Sequence, residues 1–147
     1  MDIKKFTLFA GIAFLAIGIL GFVPAFVTYS PSPTSNVFMA HGLLFGIFPI
    51  NGLHNLVHLG FGLWAVSVWK NAAHSRIFCR SNAIIYGLLA VAGFVPGLNT
   101  LWGLLPMHGH DIWLHAVIAL ATGYFGFVWH SQQNTVDHLR PDWKNPL

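Results

Sequence analysis

Two ten-residue segments of the chain carry metal-competent side chains at matching positions. One reads PINGLHNLVH, and the other, in the second half of the chain, reads PMHGHDIWLH. Aligned without a gap, they place His54 opposite Asp111 and His58 opposite His115. Polar side chains four residues apart share one face of a helix. The recurrence therefore predicts a single site that is built from two halves.

Three imidazoles and one carboxylate suit a transition metal such as zinc, iron or copper. The candidate metal ligands are all four side chains: His54, His58, Asp111 and His115. A second possibility is a haem-like cofactor, for which His58 and His115, as equivalent residues of two helices, would be the axial ligands. Further polar residues nearby could extend the site or form an entry path: His41, Asn55, His108 and His110.

The same residues could also work without a cofactor. A His54–Asp111 pair and a His58–His115 contact would clamp two helices together as polar glue. Ionisable groups at membrane depth also serve in proton or ion handling. Metalloprotease chemistry is not supported, because Asn55 occupies the position of the glutamate in the His-Glu-x-x-His motif.

The composition predicts an all-α integral membrane protein. The chain is 55% hydrophobic and only 7% charged, whereas soluble domains contain about 25% charged residues. Four apolar stretches are each close to the roughly 20 residues that span a bilayer as a helix: about 6–27, 51–69, 81–98 and 111–129. We expect one four-helix membrane domain over residues 1–133 and a polar cytoplasmic tail over residues 134–147.

The basic residues predict the orientation. They all lie in the N-terminal segment, the 70–80 connection or the C-terminal segment: Lys4, Lys5, Lys70, Arg76, Arg80, Arg140 and Lys144. The positive-inside rule makes these three segments, and so both termini, cytoplasmic. The His/Asp cluster then lies near the outer face. The net charge of +3 is read as a basic rim beside lipid headgroups, and no nucleic-acid partner is expected.

The two halves of the chain repeat further features. The sequence GFVP follows the first and third apolar stretches, and the short segments LFGIFP and LWGLLP precede the second and fourth. We predict a pseudo-twofold tandem repeat of two helical hairpins, about 5–70 and 78–130, with short interfacial turns on the outer face. Gly-lined helix faces allow close packing, and they could also bind a second copy or a membrane-protein partner.

The segment FPINGLHNLVHL, together with the later GLLP and DIWLH, resembles the bacterial membrane family called domain of unknown function 4383. The resemblance covers roughly residues 5–130, and its motif positions fall on polar and aromatic residues: Asn51, His54, Asn55, His58, Asp111, Trp113 and His115. It implies a four-span protein of the bacterial inner membrane and implies no activity.

Three functions stay open at this point. The first is an inner-membrane protein whose His/Asp cluster binds a transition metal or a haem-like cofactor near the outer face. The second is a cofactor-free structural or accessory subunit in which the cluster clamps the two halves. The third is a small oligomeric transporter or proton-coupled protein. The sequence does not decide whether the chain is an enzyme.

Overall fold

The computed structural model describes residues 1–29 and 42–129, and this part of the chain is mostly helical. Its α-helices are α1 (Ile3–Leu20), α2 (Gly52–Val68), α3 (Ala72–Ala92) and α4 (His110–Gly123), and a π-helical turn, Tyr124–Val128, continues α4. Short 3-10 turns lie at Pro24–Phe26 and Leu98–Thr100. Three short strands form one antiparallel sheet in the order β1 (Val27–Tyr29), β2 (Gly42–Leu44) and β3 (Phe48–Ile50).

The sheet corrects the prediction of an all-α chain. The segment that we expected to be an interfacial turn is a hairpin, in which Leu44 pairs with Phe48 across a three-residue loop. Gly46 and Phe45 adopt left-handed backbone in that loop, a conformation that glycine takes without steric cost. β1 adds to the hairpin through the pair Val27–Leu44, so backbone groups that a loose turn would leave unpaired are satisfied.

The second apolar turn matches the first at two backbone positions, although Leu101 has a φ of 44° and the corresponding Leu44 lies in β2. Trp102 and Gly103 have φ angles of 56° and 90°, and the corresponding Phe45 and Gly46 have φ angles of 53° and 72°. In each turn the glycine N–H donates to the carbonyl three residues earlier, at 3.0 and 3.1 Å. Only the first of the two turns lies between strands.

The third helix begins earlier than the predicted stretch 81–98. Asn71 caps it, since its side-chain oxygen accepts hydrogen bonds from two backbone N–H groups of the first turn. Arg76 and Arg80 therefore lie in α3 and not in a connecting loop. α1 and α3 both end four residues before a proline, Pro24 and Pro96 respectively.

Each half of the chain packs as a pair of adjacent helices. In the first pair, a Cβ on Gly11 would lie 2.9 Å from the Ala65 Cβ, so α1 and α2 are in close contact. In the second pair, a Cβ on Gly93 would lie 2.6 Å from the Met107 carbonyl oxygen and from Ile112. The end of α3 is thus held against the start of α4. These glycines are used in packing within the chain.

Large apolar side chains are exposed on the helices, and several polar side chains are buried beside the apolar core. All four helices expose large apolar side chains, among them Phe9, Ile12, Leu63, Leu88, Val91, Val117 and Leu120. The interior contains polar side chains, among them Thr7, Asn55, Ser75, Asn82 and Thr122. Two helical segments, Ile3–Leu20 and His110–Val128, are long and apolar enough to cross a membrane.

Basic residues lie toward one end of the helices, and the sheet and the second apolar turn lie toward the other. The exposed Lys4 lies at the start of α1, and Lys70 lies between α2 and α3. Arg80 lies over the Phe127 ring, and its Nε donates to the Gly126 carbonyl at 2.9 Å, where the π-helical turn continues α4. The sheet and the second apolar turn lie where α1 and α3 end and where α2 and α4 begin.

Candidate metal centre

The start of α2 is fixed by Asn51. Its side-chain oxygen accepts a hydrogen bond from the His54 backbone N–H at 2.8 Å, which caps the helix. Its side-chain nitrogen donates to the Leu104 carbonyl in the second apolar turn at 2.7 Å. One buried amide therefore joins the start of α2 to the turn that precedes α4, and it places His54 in the first helical turn.

The start of α4 places the other two site residues. Gly109 occupies the cap position with left-handed backbone and makes no side-chain cap. Asp111 follows in the first turn, where the positive end of the helix dipole favours a carboxylate. His115 lies one turn further along the same helix face, so one element presents an oxygen and a nitrogen ligand to the same point.

The structure brings His54, Asp111 and His115 together in the interior. One ligand atom of each lies within 4.8 Å of the other two. The Asp111 Oδ2 atom is 3.6 Å from the His115 Nε2 atom and 3.9 Å from the His54 Nε2 atom. All three residues are at least 95% buried. The cluster is therefore closed to bulk solvent.

These side chains face one another without bonding to one another. Distances of 3.6 and 3.9 Å are longer than a hydrogen bond between nitrogen and oxygen. Among the described residues, the Asp111 Oδ2 atom has no hydrogen-bond partner. Ligands about 2.0–2.1 Å from a tetrahedral metal lie about 3.3 Å apart. The two separations from Oδ2 are about 0.3 and 0.6 Å wider than in such a coordination sphere, and all three ligand atoms lie within 4.8 Å of one another.

His58 does not join the group of three. It lies one turn further along α2, and its ring stacks on the His54 ring with centroids 4.7 Å apart. On its other side it contacts Phe14 of α1, at 5.6 Å. The structure thus places His58 as a neighbour of the cluster, and the contact predicted between His58 and His115 is not among the ring contacts of the described residues.

The other polar residues that the sequence suggested are not members of the group of three. The Asn55 side chain lies against Gly21 of α1 and not against the ligand atoms. His108 is half-buried, and His110 is exposed at the first position of α4. His41 lies outside the described residues.

Sequence reasoning missed Tyr86. This buried residue of α3 places its ring against His115 in an edge-to-face contact, with centroids 5.2 Å apart. The Nδ1 atoms of His54, His58 and His115 are buried without a hydrogen-bond partner among the described residues. Ring contacts therefore contribute to the placement of the imidazoles. A single tyrosine within an apolar stretch was the available signal, but α3 carries no site motif that would have drawn attention to it.

A small cavity borders the cluster. It has a volume of about 130 Å³, and its polar wall consists of His54, His58 and Asp111. The remaining wall is apolar and comes from α1, α4 and the sheet, including Ile17, Leu44, Phe48 and Leu114. The ligand atoms of the cluster therefore adjoin a small, partly open space with mostly apolar surroundings.

Comparison with known proteins identifies one similarity. A family model described as a domain of unknown function, DUF4383, matches residues 4–128. No curated protein matches the chain significantly, and no solved structure does so.

Proposed function

We propose a function from the site itself, because the chain belongs to the DUF4383 family, a domain of unknown function. The proposal is that this is an integral membrane protein that binds one transition-metal ion through His54, Asp111 and His115. The observation that carries it is the convergence of three buried ligand atoms that do not bond to one another.

The free energy of burial favours a metal over a clamp. A carboxylate oxygen that is buried without a partner costs several kcal/mol, and a bound cation removes that cost. A clamp would instead show a hydrogen bond between His54 and Asp111, but their closest atoms are 3.9 Å apart. The clamp function is therefore the less favoured of the two.

The ligand set favours zinc or iron(II). Two histidines and one carboxylate are the ligands of catalytic zinc sites, which keep a fourth position open, and of the facial triad of non-haem iron. An open position in this protein would adjoin the cavity that His54 and Asp111 line. The cavity of about 130 Å³ is smaller than the roughly 300 Å³ of typical small-molecule pockets, which favours an ion over a haem.

We further propose four membrane spans in the bacterial inner membrane, with both termini in the cytoplasm. The exposed apolar side chains on all four helices support this proposal, since soluble proteins rarely expose such continuous apolar surface. The basic residues at the starts of α1 and α3 support the orientation. The metal site would then lie near the outer face.

A tandem repeat of two helical hairpins is part of the proposal. It is supported by the similar φ angles at two matching positions of the apolar turns and by backbone hydrogen bonds that recur where α1 and α3 end. The Gly21 and Gly93 N–H groups both donate to the carbonyl four residues earlier, at 3.0 and 2.9 Å. A partner protein or second copy would have to use another glycine, such as Gly60 on the exposed side of α2, because Gly11 and Gly62 pack within the chain.

Elemental analysis tests the metal proposal. The protein is purified without a histidine tag or chelator, and its metal content is measured per chain. We expect one zinc or iron ion in the wild type, loss of that ion in His115→Ala, and retention in His110→Ala. His110 is the matched control, because it begins the same helix but is exposed. A metal-free wild type, or equal metal content in the two variants, would refute the proposal.

A further inference from the structure

A second cavity leads from the surface of the helices toward the metal centre. It is a groove of about 210 Å³ between α1 and α4. Its wall residues extend from Phe6 to Ile17 along α1, a distance of about 16 Å at 1.5 Å per residue. Phe9 and Val117 at its edge are exposed, so the groove opens outward where lipid tails would lie.

The groove is apolar throughout its length. Its one hydroxyl-bearing wall residue, Thr122, donates its side-chain hydroxyl to the Ile118 carbonyl at 2.7 Å and so offers no free donor. Ile17 and Leu114 line both this groove and the cavity at the metal centre. The two spaces are therefore adjacent: one is an apolar groove, and the other has the polar wall of the metal centre.

We infer that the metal centre binds a single-chain fatty acid, whose hydrocarbon chain lies in the groove and whose carboxylate reaches the metal. This inference rests on the proposed metal site. A divalent ion beside the Asp111 carboxylate leaves one positive charge, which a fatty-acid carboxylate balances. The head-group cavity of about 130 Å³ is slightly smaller than the roughly 150 Å³ cavity known to hold benzene. A carboxylate fits that space better than a substituted ring does.

The test measures binding of radiolabelled oleic acid to the zinc-loaded protein in lipid nanodiscs. We expect one oleic acid per chain in the wild type and at least tenfold weaker binding in Ala13→Leu, because the larger side chain fills the groove. Ala16→Leu is the matched control, since Ala16 lies on α1 but is exposed and outside the groove. It should bind as the wild type does. Methyl oleate, which is uncharged and bulkier at its head, should compete at least tenfold less well.

Zinc content, measured on the same samples, separates the two proposals. A wild type that retains zinc but does not bind oleic acid, or that binds it equally well after Ala13→Leu, overturns the fatty-acid inference alone. A wild type without zinc overturns both. Ala121→Leu fills the same groove from α4, and it replaces Ala13→Leu if that variant loses its zinc.

Discussion

The substitution Asp111→Asn separates a metal site from a hydrogen-bonded clamp. It keeps the shape of the side chain and removes its charge. The Oδ2 atom has no hydrogen-bond partner among the described residues, so no direct hydrogen bond is lost at that atom. The substitution also removes a group whose ionised form is costly to bury. In the presence of a chelator, we therefore expect the variant to be at least as stable as the wild type.

The effect on metal binding follows from the number of ligands. Structural zinc sites with four protein ligands bind zinc with a free energy of about 10–16 kcal/mol, which is about 2.5–4 kcal/mol per ligand. Loss of one ligand should weaken zinc binding by about 10²–10³-fold, at about 1.4 kcal/mol for each factor of ten. At a zinc concentration 100 times the wild-type Kd, the ion stabilises the wild type by about 2.7 kcal/mol. A variant with 100-fold weaker binding gains only about 0.4 kcal/mol.

The assay is an SDS titration in mixed micelles that gives the free energy of unfolding with zinc and with chelator. Asp2→Asn is the control for the same chemical change. Asp2 caps the start of α1, at the end of that helix away from the cluster, and asparagine caps helices as well. A clamp predicts that Asp111→Asn loses about 1.5–3 kcal/mol even with chelator, the value of a hydrogen bond to a charged group. That result, or equal stabilisation of both proteins by zinc, would refute the metal site.

Three further predictions test the surroundings of the site. Gly21→Ala should cost about 1–3 kcal/mol in unfolding free energy, because its Cβ would overlap the Asn55 side chain; Gly60→Ala, with open space around it, should cost nothing in the same titration. His58→Phe should keep one metal ion per chain, with an affinity within about tenfold of the wild-type value in a competition assay, because a ring still stacks on His54. Loss of the ion would make His58 a ligand. Cys79 is fully buried, so maleimide should label it only after denaturation, and rapid labelling of the folded protein would contradict its placement.

Much of the helical framework follows from composition and from a few residues. Apolar stretches near membrane-spanning length predicted helices, and Asn51, a residue type that favours helix starts, caps α2. The start of α3 was misplaced because the stretch that contains Arg76 and Arg80 is less apolar than the rest of that helix. Hydropathy marks where a helix can meet lipid, whereas Asn71 and its hydrogen bonds determine where this helix begins.

The sheet could not be read from the sequence for a different reason. Its strands are only three residues long, which is too short to show the alternation that identifies a strand. The pairing also depends on β1, which lies before the segment of the chain that the structure leaves undescribed. Contacts between distant segments, not local preference, make these residues strands.

The sequence indicated which residues form the His/Asp group, but it did not predict how they are arranged. Recurrence of the motif identified His54, Asp111 and His115, but spacing treated all four polar residues as equivalent. The structure distinguishes them because α4 presents both of its polar residues to one point, whereas α2 presents only His54 and leaves His58 in a ring stack. A pseudosymmetric pair of motifs can therefore give an asymmetric site. The three atoms that converge, two nitrogens and one oxygen, form the metal site that we propose, and His58 lines the cavity beside them.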